Sequence, residues 1–287
     1  MLWIQSSGFL APALGGAGAE TLKKMGAGDP EIVGPFIMSV LQGARDADVG
    51  KVITKDGIQE CDVTKIWIRI GSITRAIQLV QSCKPDVLVL QGADAGGHGG
   101  EKGAGIISVI PETLQALQNV EIHDVSIVAA GGIADGSGVA AALTLGADGI
   151  VMGTRFLAAE ETTVHPAYRT AVLETEDGGQ TTVRAKLFDE LAGPNIWSRN
   201  FDGRALIAQS YRDHMEGIPI DDIRKSHAEA KQSSHLGFDQ ENRRAAIWAG
   251  TGVGLVREKA PAAEIVTEVR ESARAALKRT VSLLAKF

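Results

Sequence analysis

Between Lys65 and Phe156, short apolar runs alternate with stretches whose apolar residues recur at helical spacing. The first run, Ile66-Trp67-Ile68-Arg69-Ile70, stops at Gly71-Ser72. Ser72 is placed to cap a helix in which Ile73, Ala76, Ile77 and Val80 share one face, and Lys84-Pro85 ends it. Val87-Leu88-Val89-Leu90, Ile127-Val128-Ala129-Ala130 and Gly149-Ile150-Val151-Met152 are further runs. A small-residue helix carrying Val139, Ala142 and Leu143 separates the last two. Runs that are apolar without alternation mark strands buried on both faces, as in parallel sheets. Strand, helix and strand in succession mark βα units, so the pattern predicts an α/β chain.

Each of the later strands runs into glycine. Gln91-Gly92-Ala93-Asp94-Ala95-Gly96-Gly97-His98-Gly99-Gly100 follows Leu90. Gly131-Gly132-Ile133-Ala134-Asp135-Gly136 follows Ala130, and Gly153-Thr154-Arg155 follows Met152. In parallel βα folds the ligand face forms at the carboxyl ends of the strands. Glycine there lets backbone N–H groups approach a phosphate with no Cβ in the way. Any one of these pairs reads equally well as a tight turn, but three in order favour a phosphate cradle. His98 stands among glycines on the same face, and an imidazole that titrates near neutrality suits a general base.

Composition then acts by exclusion. Hydrophobic residues make up 44 % and charged residues 22 %, as in a globular chain and unlike a disordered one. Lys and Arg number 29 against 35 Asp and Glu, a net −6, and no basic stretch is long enough to hold a nucleic acid. Cys61 and Cys83 lack metal-ligand or disulfide-framework spacing, so neither a metal nor a bridge is expected, and Cys83 reads as helix packing. Met1-Leu2-Trp3-Ile4-Gln5 lacks the basic start of a secretory leader, and no apolar run reaches the roughly 18 residues of a membrane span. A soluble, cytoplasmic protein with no membrane partner is the expectation.

Beyond Phe156 the pattern changes. Phe188 to Met215 mixes Gly, Pro and Asn with Trp197, Phe201 and Tyr211 and predicts a loop-rich lid. Asp221 to Ser234 predicts a solvated polar helix, with His227 and His235 on the surface. Ile265, Val269, Ala273, Ala276, Leu277, Val281 and Leu284 form an amphipathic stripe expected to pack on the core.

Three of the quoted stretches together resemble the nitronate monooxygenases, formerly 2-nitropropane dioxygenases: Gln91 to His98, Ala129 to Gly136, and Gly146-Ala147-Asp148-Gly149 through Phe156. The similarity runs from about Lys65 to the C-terminus. Gly178-Gly179-Gln180-Thr181-Thr182-Val183-Arg184 and Ala249-Gly250-Thr251-Gly252-Val253-Gly254-Leu255 resemble the fungal-type branch. The resemblance implies a TIM-barrel-type (β/α) fold that binds FMN without a metal and acts on a small-molecule substrate with O2. A homo-oligomer is compatible with it. It further implies that Gln91 bonds the flavin ring, that Gly96 lies against the cofactor, and that Gly131, Gly132, Val151, Met152, Gly153 and Thr154 cradle the ribityl phosphate. His98 matches the family's catalytic base, which removes the α-proton of a nitroalkane or positions a nitronate. Another FMN oxidoreductase, of the enoyl-thioester reductase kind with its similar Gly-Gly-His loop, and an inactive shortened member are the alternatives.

Two departures stand out. Only 64 residues precede Lys65, room for about two βα units at roughly 30 residues each, where the family has four. Ala11-Pro12-Ala13-Leu14-Gly15-Gly16 is a faint echo of the family's first turn, and Phe36-Ile37-Met38-Ser39-Val40 is the strand candidate of that region. Arg69 replaces the glutamine usual in the fungal branch and puts a charge near the cofactor face. The expected organisation is therefore a barrel incomplete at its N-terminal side (1–64), βα units carrying the phosphate and His98 loops (65–156), and a lid-like, helical C-terminal extension (157–287).

Overall fold

The structure, a computed structural model, describes residues 2–5, 51–54, 57–60, 66–193, 197, 199–239 and 242–284, the first three stretches as backbone only. Its strands are β1 (Leu2–Gln5), β2 (Lys51–Thr54), β3 (Gly57–Glu60), β4 (Ile66–Ile70), β5 (Val87–Gln91), β6 (Gly97–Gly100), β7 (Ser126–Ala130), β8 (Gly149–Val151), β9 (Thr182–Ala185) and β10 (Phe201–Leu206). The first helices are α1 (Ile73–Cys83), α2 (Ile106–Asn119), α3 (Gly136–Thr144) and α4 (Pro166–Glu174). Then come α5 (Gly178–Thr181), α6 (Leu187–Ala192), α7 (Gln209–Met215), α8 (Ile220–Lys231) and α9 (Ala262–Leu284).

A five-stranded parallel sheet in the order β1-β4-β5-β7-β8 forms the centre, open rather than closed among the described residues. Its strands are apolar on both faces because both are covered. Ile66, Ile68, Leu88, Leu90, Ile127 and Ala129 pack under the helices, while Val87, Val89, Val128 and Ala130 gather with Trp67 and Val151 on the opposite face. Aspartates fasten neighbouring strands: Ile66 N–H donates to Asp86 at 2.7 Å and Ile127 N–H to Asp148 at 2.8 Å.

Local signals end the elements where the sequence places them. The Ser72 hydroxyl accepts from Arg75 N–H at the start of α1, and Lys84, left-handed at φ 44°, closes it before Pro85. Asp135 caps α3 by accepting from Gly138 N–H at 2.8 Å. α3 must be small-sided because α9 lies directly on it: a Cβ on Gly136 would collide with Ser272 and Ala273. Only the first half of the α9 stripe is buried, at Ile265, Val269 and Ala273, whereas Val281 is 67 % exposed. Cys83 is buried and its thiol donates to the Leu79 carbonyl.

Three expectations change. β1 pairs in parallel with β4, Leu2 opposite Ile66, and β2 and β3 form a hairpin, none of which the N-terminal pattern foretold. Phe36–Val40, Ala11–Gly16 and Cys61 lie outside the described residues. Phe188 to Met215 is not loop-rich, since α6, β10 and α7 occupy most of it. β10 escapes an apolar-pattern search because Asp202, Gly203 and Arg204 sit in its middle, all of them partnered by β6 and β9. His227 is buried, not superficial, at 8 % exposure.

Candidate functional site

A pocket of about 260 Å³ opens at the carboxyl ends of β4, β5, β7 and β8. Strand alternation chooses its walls. Arg69, Val89, Gln91, Ala130 and Val151 belong to the sheet face opposite the helices, and all five line the pocket. Met152, one residue further on, falls on the other side and packs among the helices. Of the sequence-predicted site residues, Gln91, Gly96, Gly131, Gly132, Val151, Gly153 and Thr154 come together here, while Met152 and the His98 side chain do not line the cavity.

Two of the glycine turns have distinct reasons. Gly131 and Gly132 hold φ of +100° and +75°, which a side chain resists, so the chain leaves β7 by a turn that needs them. At Gly153 an added Cβ would meet nothing within 4 Å, so the space beside that residue is open. Thr154 follows at the start of a 3₁₀ turn, Thr154–Ala158, whose first N–H groups have no acceptor within the turn. The Thr154 hydroxyl accepts from Gly250 N–H at 3.0 Å, which leaves its own proton to donate. Backbone N–H groups, a hydroxyl donor and open space fit an anionic oxygen such as a phosphate. The volume lies just under the roughly 300–1,000 Å³ of whole-ligand sites, the right scale for one end of a nucleotide-sized cofactor.

The far wall comes from the C-terminal third. Trp248 and Gly252 line the pocket. Gly96 faces Ala249 and Gly250 so closely that a Cβ would meet their backbone at 2.5 Å. Asp94 ties the two segments: its carbonyl accepts from Thr251 N–H and its carboxylate from the Thr251 hydroxyl, both at 3.0 Å. The Tyr168 hydroxyl accepts from Trp248 N–H at 2.8 Å, and burial pushes its pKa up to about 12.

His98 lies beside this wall on β6, a strand rather than the expected loop, directly opposite Gly203 of β10. Gly203 is required there, because a Cβ would enter the Trp248 ring. The imidazole stacks on Trp197, with ring centres 4.0 Å apart and planes 8° apart, and meets Trp248 at 4.7 Å. Its Nε2 is 2.7 Å from Asp189 Oδ1, with the two side chains only 16 % and 11 % exposed. Gln91 donates its amide to the His98 carbonyl at 3.1 Å, and Arg69 reaches the same oxygen at 3.4 Å. Burial pulls the Arg69 pKa down to about 10, so the guanidinium stays cationic at neutral pH.

Sequence reasoning found the glycines and His98 but missed Asp189, Trp197 and Trp248. The chain has only four tryptophans, and two of them converge on one histidine; that scarcity was the available signal. Asp189 carried none, being 91 residues from its partner. Among the described residues no group of His, Cys, Asp and Glu is arranged to hold a metal, and no helix is long and apolar enough to cross a membrane.

Against this geometry stand the comparisons with known proteins. A nitronate monooxygenase of Metarhizium robertsii, npaC, is 44 % identical over 223 residues, 77 % of this chain and 61 % of the relative. One from Neurospora crassa is 43 % identical over 215 residues, 75 % of this chain and 55 % of the relative. The chain therefore spans about three fifths of the length of these curated relatives. A nitroalkane oxidase structure from Streptomyces ansochromogenes superposes with a TM-score of 0.58 at 25 % identity, covering 76 % of this chain and 59 % of that one. FabK from Thermotoga maritima gives 0.57 at 25 %, covering 78 % and 64 %. The fold is thus of the TIM-barrel type. The family description "Nitronate monooxygenase" matches residues 52–272, and the chain belongs to the nitronate monooxygenase family.

Proposed function

We propose that this protein oxidises alkyl nitronates with O2 to carbonyl compounds and nitrite, using FMN held in the glycine-walled pocket, in a cytoplasmic setting. The carrying observation is the open space beside Gly153 and the Thr154 hydroxyl, with a hydrogen-bonded histidine packed against the Trp248 wall. Gly153 and Thr154 would hold the phosphate through N–H groups and the Thr154 hydroxyl, with the turn at Gly131 and Gly132 giving the chain its close approach. Val89, Ala130 and Val151 give an apolar floor, and Arg69 supplies positive charge at the β4 side. FMN, when bound, supplies the electron transfer between nitronate and oxygen. Gln91 gives one amide N–H to the His98 carbonyl and lines the pocket, so its second N–H and its carbonyl oxygen are left to meet the flavin ring. His98 takes the α-proton of a neutral nitroalkane and is not needed to deprotonate a preformed nitronate.

The test begins with the purified chain, its visible spectrum after incubation with FMN, and nitrite release from an alkyl nitronate in air. Flavin uptake and nitrite are expected. A chain that takes up no flavin, or that takes it up and oxidises NADPH with an enoyl thioester instead, sinks the reading. In His98→Ala, neutral nitroalkane turnover is expected to fall by about 10²–10⁴, the usual worth of a general base. Nitronate turnover falls far less, and equal losses would remove His98 from the base role.

A further inference from the structure

His98 and Asp189 come from segments 91 residues apart and meet at 2.7 Å, with both side chains largely withdrawn from water. Asp189 is only 8 % exposed and sits in the first turn of α6, where a carboxylate is electrostatically favoured. The ring has little freedom to turn away, because Trp197 stacks flat on it and Trp248 packs against it. Its backbone is pinned by Gln91 and Arg69 and by the β6–β10 pairing. A carboxylate only accepts, so the ring nitrogen facing it must carry the hydrogen.

We infer that Asp189 is a positioning residue that holds neutral His98 as the Nε2–H tautomer, making Nδ1 the proton-accepting nitrogen and standing as counter-ion once the ring is charged. The proposal deepens the nitroalkane reading and rests on it for its chemistry. In the step concerned, the α C–H bond of the nitroalkane breaks and its proton goes to Nδ1. The electron pair moves into the C=N bond of the nitronate, and the negative charge rests on the nitro oxygens. The imidazolium so formed lies against the Asp189 carboxylate, as in dyads where an acid fixes a base without itself taking the proton. Asp189→Asn keeps the shape but offers an amide N–H to Nε2, which favours the Nδ1–H tautomer and blocks the accepting nitrogen.

The experiment is ¹⁵N NMR of the chain labelled at its histidines, with the His98 resonances assigned by their loss in His98→Gln. The neutral wild-type ring is expected as the Nε2–H tautomer, and Asp189→Asn is expected to lose that signature. An Nδ1–H tautomer in the wild type overturns the proposal, whatever the activity and whether or not Asp189→Asn folds. In parallel, Asp189→Asn is expected to lower kcat/KM for a neutral nitroalkane by about 10²-fold or more, while kcat/KM for the matching nitronate changes by less than about tenfold. Equal losses on both substrates, with the wild-type tautomer retained, would also overturn it. Failure of the wild type to oxidise any nitronate sinks the functional reading instead, and the tautomer measurement still decides the pairing.

Discussion

The parallel strands β4, β5, β7 and β8 line the pocket and the antiparallel trio β6-β10-β9 reaches it through Gly97 of β6, yet the two sheets are built from opposite chemistry. The first set is isoleucine, leucine, valine and alanine packed on both faces. The second has glycine and charge at its centre. Arg184 pairs with Asp202 inside it, Arg204 holds the Ala93 carbonyl and the Thr182 hydroxyl, and His98 reaches out of it to Asp189. The apolar sheet presents the turns suited to an anion, while the polar sheet presents the side chain suited to move a proton. A scaffold whose stability comes from non-directional burial tolerates the open glycine turns at its rim. His98 is instead held by directional contacts: the β6–β10 backbone pairing, the Asp189 carboxylate of α6, and Gln91 and Arg69 on its carbonyl.

The strongest way to strain this contrast is Leu88→Ala at the fully buried centre of β5. It is expected to cost about 2–5 kcal/mol of global stability in urea unfolding, because the buried methyl groups are lost and the neighbours close the cavity only in part. Arg184→Met attacks the other sheet by leaving Asp202 without its cation. The expected loss is roughly 2 kcal/mol, below the 3–5 of a fully buried pair because both side chains keep some exposure to water. Hydrogen exchange should show faster opening at β6 and β10 and little change at β5 and β7. Equal acceleration in both sheets would erase the distinction between them.

Much of the first sheet was legible in the sequence, since burial on both faces leaves an unbroken apolar run and the glycines mark where it ends. Alternation within those runs even selects the pocket side, which is why Val151 lines the cavity and Met152 does not. The second sheet was not legible. Its strand β10 reads Phe201-Asp202-Gly203-Arg204-Ala205-Leu206, and neither a helical nor a strand period survives the charged pair and the glycine beneath Trp248. Asp189 and Asp202 acquire meaning only from partners brought close by the fold. The surface assignment of His227 failed for a similar reason: a polar helix can still turn one histidine inward.

Two smaller effects sharpen the comparison. Gly153→Ala adds a methyl group into open space without backbone strain, so stability should change by less than about 0.5 kcal/mol. FMN affinity, followed by titration calorimetry, is expected to weaken about tenfold, or about 1.4 kcal/mol. Unchanged affinity would take the phosphate away from that turn. The smallest effect concerns His227, whose pKa is lowered from 6.5 by burial first and by Lys231 and Arg244 after it. The folded state therefore resists its protonation, so its contribution to stability is complete above pH 6.5 and is lost as the pH falls below that value. Melting temperatures compared at about pH 7.5 and 5.5 should show a smaller acid-induced drop in His227→Gln than in the wild type. An identical drop would clear His227 of any part in acid sensitivity.

Trp248 and Gly252 close the pocket from a point in the chain far beyond the strands they face. During synthesis the β5, β7 and β8 strands leave the ribosome well before that wall exists. The nascent chain at that stage has a rim of glycine turns with nothing opposite Gly96, and His98 still lacks both Asp189 and Trp248. Closure of the pocket and assembly of the His98–Asp189–Trp248 cluster are therefore late events in the life of the chain, coupled to the docking of its last third.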